Sequence, residues 1–191
     1  AAAAGATVHA VDVGVGRPTG DIRTEPALSP ARFEDCVAAG RDAVDALDAD
    51  LLVLGEMGIG NTTAAAAVAA ALGDGDAEAW VGRGTGVDDE GLARKHAAVA
   101  AAVARIVGLT DPLEVLREVG GAELVAIAAA VMAARRRQLP VMLDGYVVTA
   151  AALPLAVAAH DALAHCQVGH CSAEPGHRRL VARLDKHPLL D

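Results

Sequence analysis

A short hydrophobic run, Leu51 to Leu54, passes straight into Gly55-Glu56-Met57-Gly58-Ile59-Gly60-Asn61-Thr62-Thr63 and then into an alanine-rich stretch ending at Leu72. This transition restricts the fold more than any other part of the chain. A continuous apolar run without alternation suits a strand buried on both faces, as in a parallel sheet. The glycines allow a tight turn and let backbone approach a ligand without Cβ obstruction. Asn61, Thr62 and Thr63 are residues that start helices well, and alanine has the highest helix propensity. Strand, glycine turn and helix N-terminus together present free N–H groups at a positive dipole end, which favours an anion such as phosphate.

The spacing also limits which phosphate. Gly55 and Gly60 match the first half of a P-loop, but Asn61 and Thr62 stand where the Lys and Ser/Thr of that motif would be. Without that cation the turn suits one phosphate rather than a triphosphate. Glu56 agrees, since a carboxylate in a phosphate loop repels the ligand unless it faces a cationic part of it. The alternative for the segment is a surface turn with an incidental Glu.

A second glycine-rich loop, Gly82-Arg83-Gly84-Thr85-Gly86, follows a predicted short strand over Ala79 to Val81. Asp88 caps the helix after it, predicted to about Val107, with Asp89 and Glu90 in a first turn that suits negative charge. The G-x-G-x-G is one residue short of the dinucleotide fingerprint, and no acidic residue stands on a following strand in the right place, so a Rossmann cofactor site is rejected. Lys95 lies two turns into this helix, within reach of the loop; the alternative is a solvated helix charge.

The remaining chain alternates in the same way. Thr7 to Val13 alternates towards a strand. Ser29-Pro30 opens a helix to about Leu47. Gly73 to Asp76 is an acidic turn. Asp111-Pro112-Leu113-Glu114 has the capping-box spacing, its helix ends at Gly120-Gly121, and a largely apolar helix runs from Ala122 to Gln138. Pro140 to Leu143 is a second apolar strand ending in Asp144-Gly145, and ligands gather at such carboxyl ends in open parallel sheets. Asp144 either faces that ligand or caps the next helix, which bends or stops near Pro154. Ala164 to Val168 is predicted as the last strand. The alternation predicts an α/β fold: one domain over residues 1–191 with a Rossmann-like parallel sheet and helices on both faces, in three layers.

Composition excludes several functions. A formal net charge of -9 argues against nucleic acid or an anionic membrane as partner, and no apolar window is long enough to span a bilayer. Three cysteines, Cys36, Cys166 and Cys171, fit reduced thiols and a cytoplasmic setting better than a disulfide framework. His165, Cys166, His170, Cys171 and His177 show neither a C-x-x-C nor an H-x-x-x-H pattern, so no metal site is expected. The simpler reading is a loop that places Ser172 and Glu174 at the sheet's ligand edge.

Five stretches carry a resemblance: GEMGIGNTTAAAA from Gly55, VGRGTGVDDEGLARK from Val81, the Gly120-Gly121 helix start, PVMLDGYVVTAAAL from Pro140 and HCSAEPGH from His170. In this order they resemble nicotinate-nucleotide–dimethylbenzimidazole phosphoribosyltransferases, over nearly the whole chain. The resemblance implies transfer of phosphoribose from nicotinate mononucleotide to 5,6-dimethylbenzimidazole, in assembly of the cobalamin nucleotide loop, by a homodimer without a cofactor. It implies that phosphate lies between the Gly58-Ile59-Gly60-Asn61-Thr62 turn and the Gly84-Thr85-Gly86 loop, with Lys95 as charge partner. It places Asp144-Gly145 at the ribose and Ser172 by the phosphoribosyl group. Glu56 either stabilises the cationic sugar or positions the base. The family's general-base Glu, in a glycine-rich segment near its C-terminus, and its N-terminal helical part have no counterpart in these 191 residues. The competing expectation is a non-catalytic module that binds a phosphorylated nucleotide.

Overall fold

In a computed structural model, residues 2–73, 76–84 and 86–190 are described. Helix α1 spans Pro30–Asp45, strand β1 Leu52–Leu54, α2 Asn61–Leu72, α3 Asp89–Arg105, α4 Pro112–Val119, α5 Ala122–Arg136, β2 Val141–Leu143, α6 Gly145–Ala158, β3 Cys166–Val168 and α7 Pro175–Arg183. The three strands are parallel in the order β1-β2-β3, with Val53 opposite Met142 and Met142 opposite Gln167. The α/β, Rossmann-like sheet expected from the apolar runs is present. Their shared direction brings the residues after Leu54, Leu143 and Val168 to one edge. Past β3 the C-terminal segment adds a parallel bridge between His170 and Leu190.

Period-two alternation divides the sheet. Leu52, Leu54, Val141, Leu143, Cys166 and Val168 join the main core, while Val53, on the opposite face, is 60% exposed. The layering is therefore uneven among the described residues, heavy on one face and thin on the other. The core is made of small aliphatic side chains. Ala65 to Ala69 are all fully buried, so α2 is covered all round rather than on one stripe, and α6 is buried from Tyr146 to Leu155. Alanine buries little area per residue, but its size lets helices approach closely, and α2 packs on α6.

Caps follow the sequence where the residue types are strong. Ser29 accepts from the Arg32 amide at 3.3 Å, Asp88 from Gly91 at 2.8 Å and Asp111 from Leu113 at 2.9 Å. Glu114 does not close a capping box; it pairs with Arg117 at 2.9 Å.

Three expectations are corrected. Thr7 to Val13 forms no strand: no neighbouring strand offers it a ladder, Val8 and Val11 face solvent, and Asp12 accepts from the Gly14 and Val15 amides in a local turn. Ala79 to Val81 is not a strand either. Ala77–Trp80 is a 3-10 turn whose Trp80 is buried and whose carbonyl accepts from the Tyr146 hydroxyl at 2.8 Å, so side-chain anchoring overrides local propensity. Pro154 lies inside α6 and does not stop it: the helix, buried from Tyr146 to Leu155, continues to Ala158. The predicted turn from Gly73 to Asp76 falls partly on residues 74 and 75, outside the described residues.

Candidate active site

The first turn differs from its predicted cap. Gly60, at φ +78°, is the N-cap of α2, a left-handed conformation that favours glycine, and Asn61 is the first helical residue. The Asn61 side chain is therefore free for another partner: its amide donates to the Glu56 carboxylate, which also accepts from the Gly58 N–H at 2.7 Å. Glu56 is folded back across its own turn, with its carboxylate at a fixed place above the helix N-terminus. Met57 and Ile59 point fully into solvent, so Ile59 contributes to the turn through its backbone.

Lys95 is not a solvated charge. Its ammonium donates to the Gly82 carbonyl at 2.7 Å and to the Thr62 hydroxyl at 3.0 Å, tying the second glycine loop to the start of α2. Burial lowers its pKa, and the nearby Glu174 carboxylate opposes that shift. An ammonium has three donors, so one remains for a ligand. Gly84 lies beside both Lys95 and Thr62. Gly86 follows with φ +110°; Thr85, also predicted here, lies outside the described residues.

Glu174 crosses from the other half of the site. It accepts from the Gly84 amide at 2.7 Å, and a Cβ on Gly82 would collide with its carboxylate. That close approach explains why glycine is needed at position 82 better than any backbone strain does.

The third and fourth groups lie on the turns after β2 and β3. Asp144 precedes α6 without a side-chain cap bond; its carboxylate meets the His170 ring at 3.1 Å instead, so the capping alternative is set aside. Gly145, at φ +70°, begins α6. Its carbonyl accepts from the Thr149 hydroxyl at 2.7 Å, and Thr149 meets the Nε2 of His177 at 3.1 Å. The Nδ1 of His177 accepts from the Ser172 amide at 3.0 Å and lies 2.9 Å from the Ser172 hydroxyl. His177 is fully buried, and its pKa falls to about 4, first because of burial and then because of His170, with Asp144 acting in the opposite sense.

Residues predicted from four separate stretches thus meet on one edge. Thr62, Gly84 and Lys95 form one group and Asp144, Gly145 and Ser172 another; Glu56, with Gly58, Gly60 and Asn61, adjoins the first through the consecutive Asn61 and Thr62. Glu174 joins the two groups, lying two residues from Ser172 in the chain and beside Gly84 in space. A family model described as DBI_PRT, Phosphoribosyltransferase, matches residues 1–191. The chain belongs to this family.

Within the phosphoribosyltransferase family, the chain is 51% identical to the nicotinate-nucleotide–dimethylbenzimidazole phosphoribosyltransferase of Sinorhizobium medicae over 180 residues, 94% of this chain and 53% of that protein. It is 51% identical to the enzyme of that name from Methylocella silvestris over 175 residues, 91% of this chain and 51% of the relative. The crystal structure of CobT from Thermus thermophilus matches with a TM-score of 0.85 at 50% identity, over 91% of this chain and 53% of that one. The chain spans about half the length of the curated relatives it matches.

Family motifs pointed to the loops but not to the residues that hold them. His170, Thr149 and His177 lie inside the resembling stretches but were given no role there, and Glu123 was missed altogether. Glu123 opens α5 after Gly121, and its Oε1 would lie 2.6 Å from a Cβ on Gly58, so it walls the first turn from below. Gly121 is the N-cap of α5; the sequence signal was an acidic residue in a first helical turn, which ordinarily means dipole compensation alone.

Proposed function

We propose that this domain binds the phosphoribosyl part of nicotinate mononucleotide and carries it through transfer to 5,6-dimethylbenzimidazole, releasing nicotinate and α-ribazole 5′-phosphate in cobalamin nucleotide-loop assembly. The observation that carries this reading is Lys95, whose ammonium joins the two glycine loops at the sheet's carboxyl edge and keeps a donor for an anion. Gly58 to Thr62, the Gly84-Thr85-Gly86 loop and Ser172 supply the remaining phosphate contacts, with Asp144 and Gly145 at the ribose.

The chemistry asks little of a general acid. Nicotinate leaves from a cationic pyridinium, so its departure relieves charge. An oxocarbenium-like centre develops at the sugar, and a fixed carboxylate beside it stabilises that charge. Glu56 is suited to this, because the Gly58 amide and Asn61 hold it in place before the substrate arrives. The attacking benzimidazole must lose a proton from its second ring nitrogen. Asp144 is engaged with His170 and one oxygen of Glu174 with Gly84, while the other Glu174 oxygen is buried without a hydrogen-bond partner among the described residues. We assign the base to a carboxylate outside these 191 residues, which form one phosphoribosyl-binding domain of the enzyme. The same reading has the enzyme working in the cytoplasm as a homodimer.

The test is a chromatographic assay for α-ribazole phosphate, run on the 191-residue polypeptide and on one extended to the length of the relatives. Turnover from the longer protein, with mononucleotide binding but loss of turnover of about 10²–10⁴-fold from the shorter, is the expected result. No mononucleotide binding by either protein would overturn the reading.

A further inference from the structure

We propose that His177 is a positioning residue for phosphate recognition, acting through Ser172. Its neutral imidazole fixes the turn after β3 against the turn after β2 by a one-way chain of hydrogen bonds. This rests on the mononucleotide reading above for its ligand but on the geometry alone for its first half.

The direction of the chain follows from which groups can only donate. A backbone amide is always a donor, so Nδ1 of His177, which receives the Ser172 N–H at 3.0 Å, carries no proton. The ring proton therefore sits on Nε2, facing the Thr149 oxygen at 3.1 Å. Thr149 can accept it because its own proton is directed to the Gly145 carbonyl at 2.7 Å. Each link is used once, from Ser172 through His177 and Thr149 to Gly145. Protonating Nδ1 would turn an acceptor towards a donor, which breaks the chain at Ser172.

A fully buried histidine with both nitrogens satisfied is often only part of a core. Two features separate this one from that case. It joins the loops at the carboxyl ends of β2 and β3, which both carry ligand-side residues, instead of packing beneath the sheet. It also holds the Ser172 hydroxyl 2.9 Å away, where the hydroxyl donates to Nδ1 alongside the amide; because the amide alone can satisfy Nδ1, the hydroxyl can rotate its proton to a phosphoryl oxygen, a charged and stronger acceptor, when the ligand arrives. The ring further stands edge-on to His170, the partner of Asp144, at 6.1 Å between centroids, so displacement of His177 would disturb the ribose side as well.

Two half-mimics divide the roles of the ring. In His177→Asn the side-chain oxygen can take the place of Nδ1 and accept from Ser172, but nothing reaches Thr149. In His177→Gln the amide nitrogen can reach Thr149, but nothing accepts from Ser172. Nicotinate mononucleotide and nicotinate riboside, which lacks the phosphate, are titrated calorimetrically into each variant and the parent protein, alongside thermal melts. His177→Gln should bind the mononucleotide about tenfold more weakly, the scale of one lost hydrogen bond to a charged group, and the riboside unchanged. His177→Asn should restore mononucleotide affinity to within about threefold of the parent, although both variants melt at a lower temperature. Equal affinity losses in the two variants, or losses shared by the riboside, would reduce His177 to a core residue and overturn the proposal. If the parent itself fails to bind the mononucleotide, the functional reading falls. Hydrogen exchange at the Ser172 amide then judges His177 alone: faster in His177→Gln but not in His177→Asn is expected, and equal rates overturn the positioning role.

Discussion

The carboxylate of Glu174 accepts a hydrogen bond from the Gly84 amide at 2.7 Å across 90 residues of chain, and its second oxygen, out of contact with solvent, has no hydrogen-bond partner among the described residues. That pairing ties the segment that carries Ser172 to the second glycine loop. It also places a negative charge near Lys95, where it counteracts the effect of burial on the ammonium. Glu174 therefore acts on the proposed anion site indirectly, through the loop and the lysine.

Glu174→Gln separates these two effects, because glutamine keeps an acceptor for the Gly84 amide and loses the charge. Since the carboxylate raises the Lys95 pKa, its removal should lower that pKa further, as read from the Nζ resonance in an NMR titration. The melting temperature should change less than in Glu174→Ala, where the Gly84 amide loses its partner at a cost of about 1–3 kcal/mol. A Lys95 titration that does not move would remove Glu174 as its electrostatic neighbour.

Lys95→Ala cuts both ties, to Gly82 and to Thr62, along with the donor left for phosphate. Affinity for nicotinate mononucleotide should weaken by about 1.5–3 kcal/mol. Because the lysine also joins two loops, phosphate-free nicotinate riboside should lose some affinity too, but less. Unchanged mononucleotide binding by calorimetry would take Lys95 out of the site.

For Glu56 the informative change is Glu56→Gln. The amide oxygen can still accept from the Gly58 N–H and Asn61, so the turn should keep its shape while the charge disappears. In the turnover-competent polypeptide the rate should fall by about 10²-fold or more with little change in mononucleotide affinity. Collapse of affinity with turnover preserved would make Glu56 a binding residue only.

His177 predicts a pH dependence. Its folded pKa, about 4, lies below the usual histidine value of about 6.5, so the unfolded chain binds the proton first as pH falls. Its contribution is complete above about pH 6.5 and is lost between there and about pH 4, on the order of 3 kcal/mol. The groups facing it are His170, which lowers its pKa, Asp144, which raises it, and Tyr146, whose own phenol is driven upward by burial. Melting temperatures of the parent and His177→Asn across this range should converge as the pH drops; parallel curves would show that His177 does not titrate in this window.

Much of this was legible in order along the chain. Apolar runs located the first two strands to within one residue, the last strand was placed to within two, and Ser29, Asp88 and Asp111 marked helix starts, because these signals are set by near neighbours. The failures at Thr7 to Val13 and Ala79 to Val81 have the opposite cause. A strand exists only if a ladder partner stands beside it, and Trp80 takes its conformation from contacts with the buried core and Tyr146.

The site divides along the same line. The α/β class, the glycine turns with their helix N-termini and, through the motifs, the family could be read along the chain, because each lies in a contiguous stretch with a local physical meaning. Packing was needed to fix that Lys95 spans Thr62 and Gly82, that Asp144 pairs with His170 rather than capping α6, that Glu174 holds Gly84 and that Glu123 walls the Gly58 turn. These are choices between partners far apart in the chain. A hydrogen bond of about three ångströms depends on how α2, α3, α6 and α7 pack, and no spacing along the sequence encodes that distance.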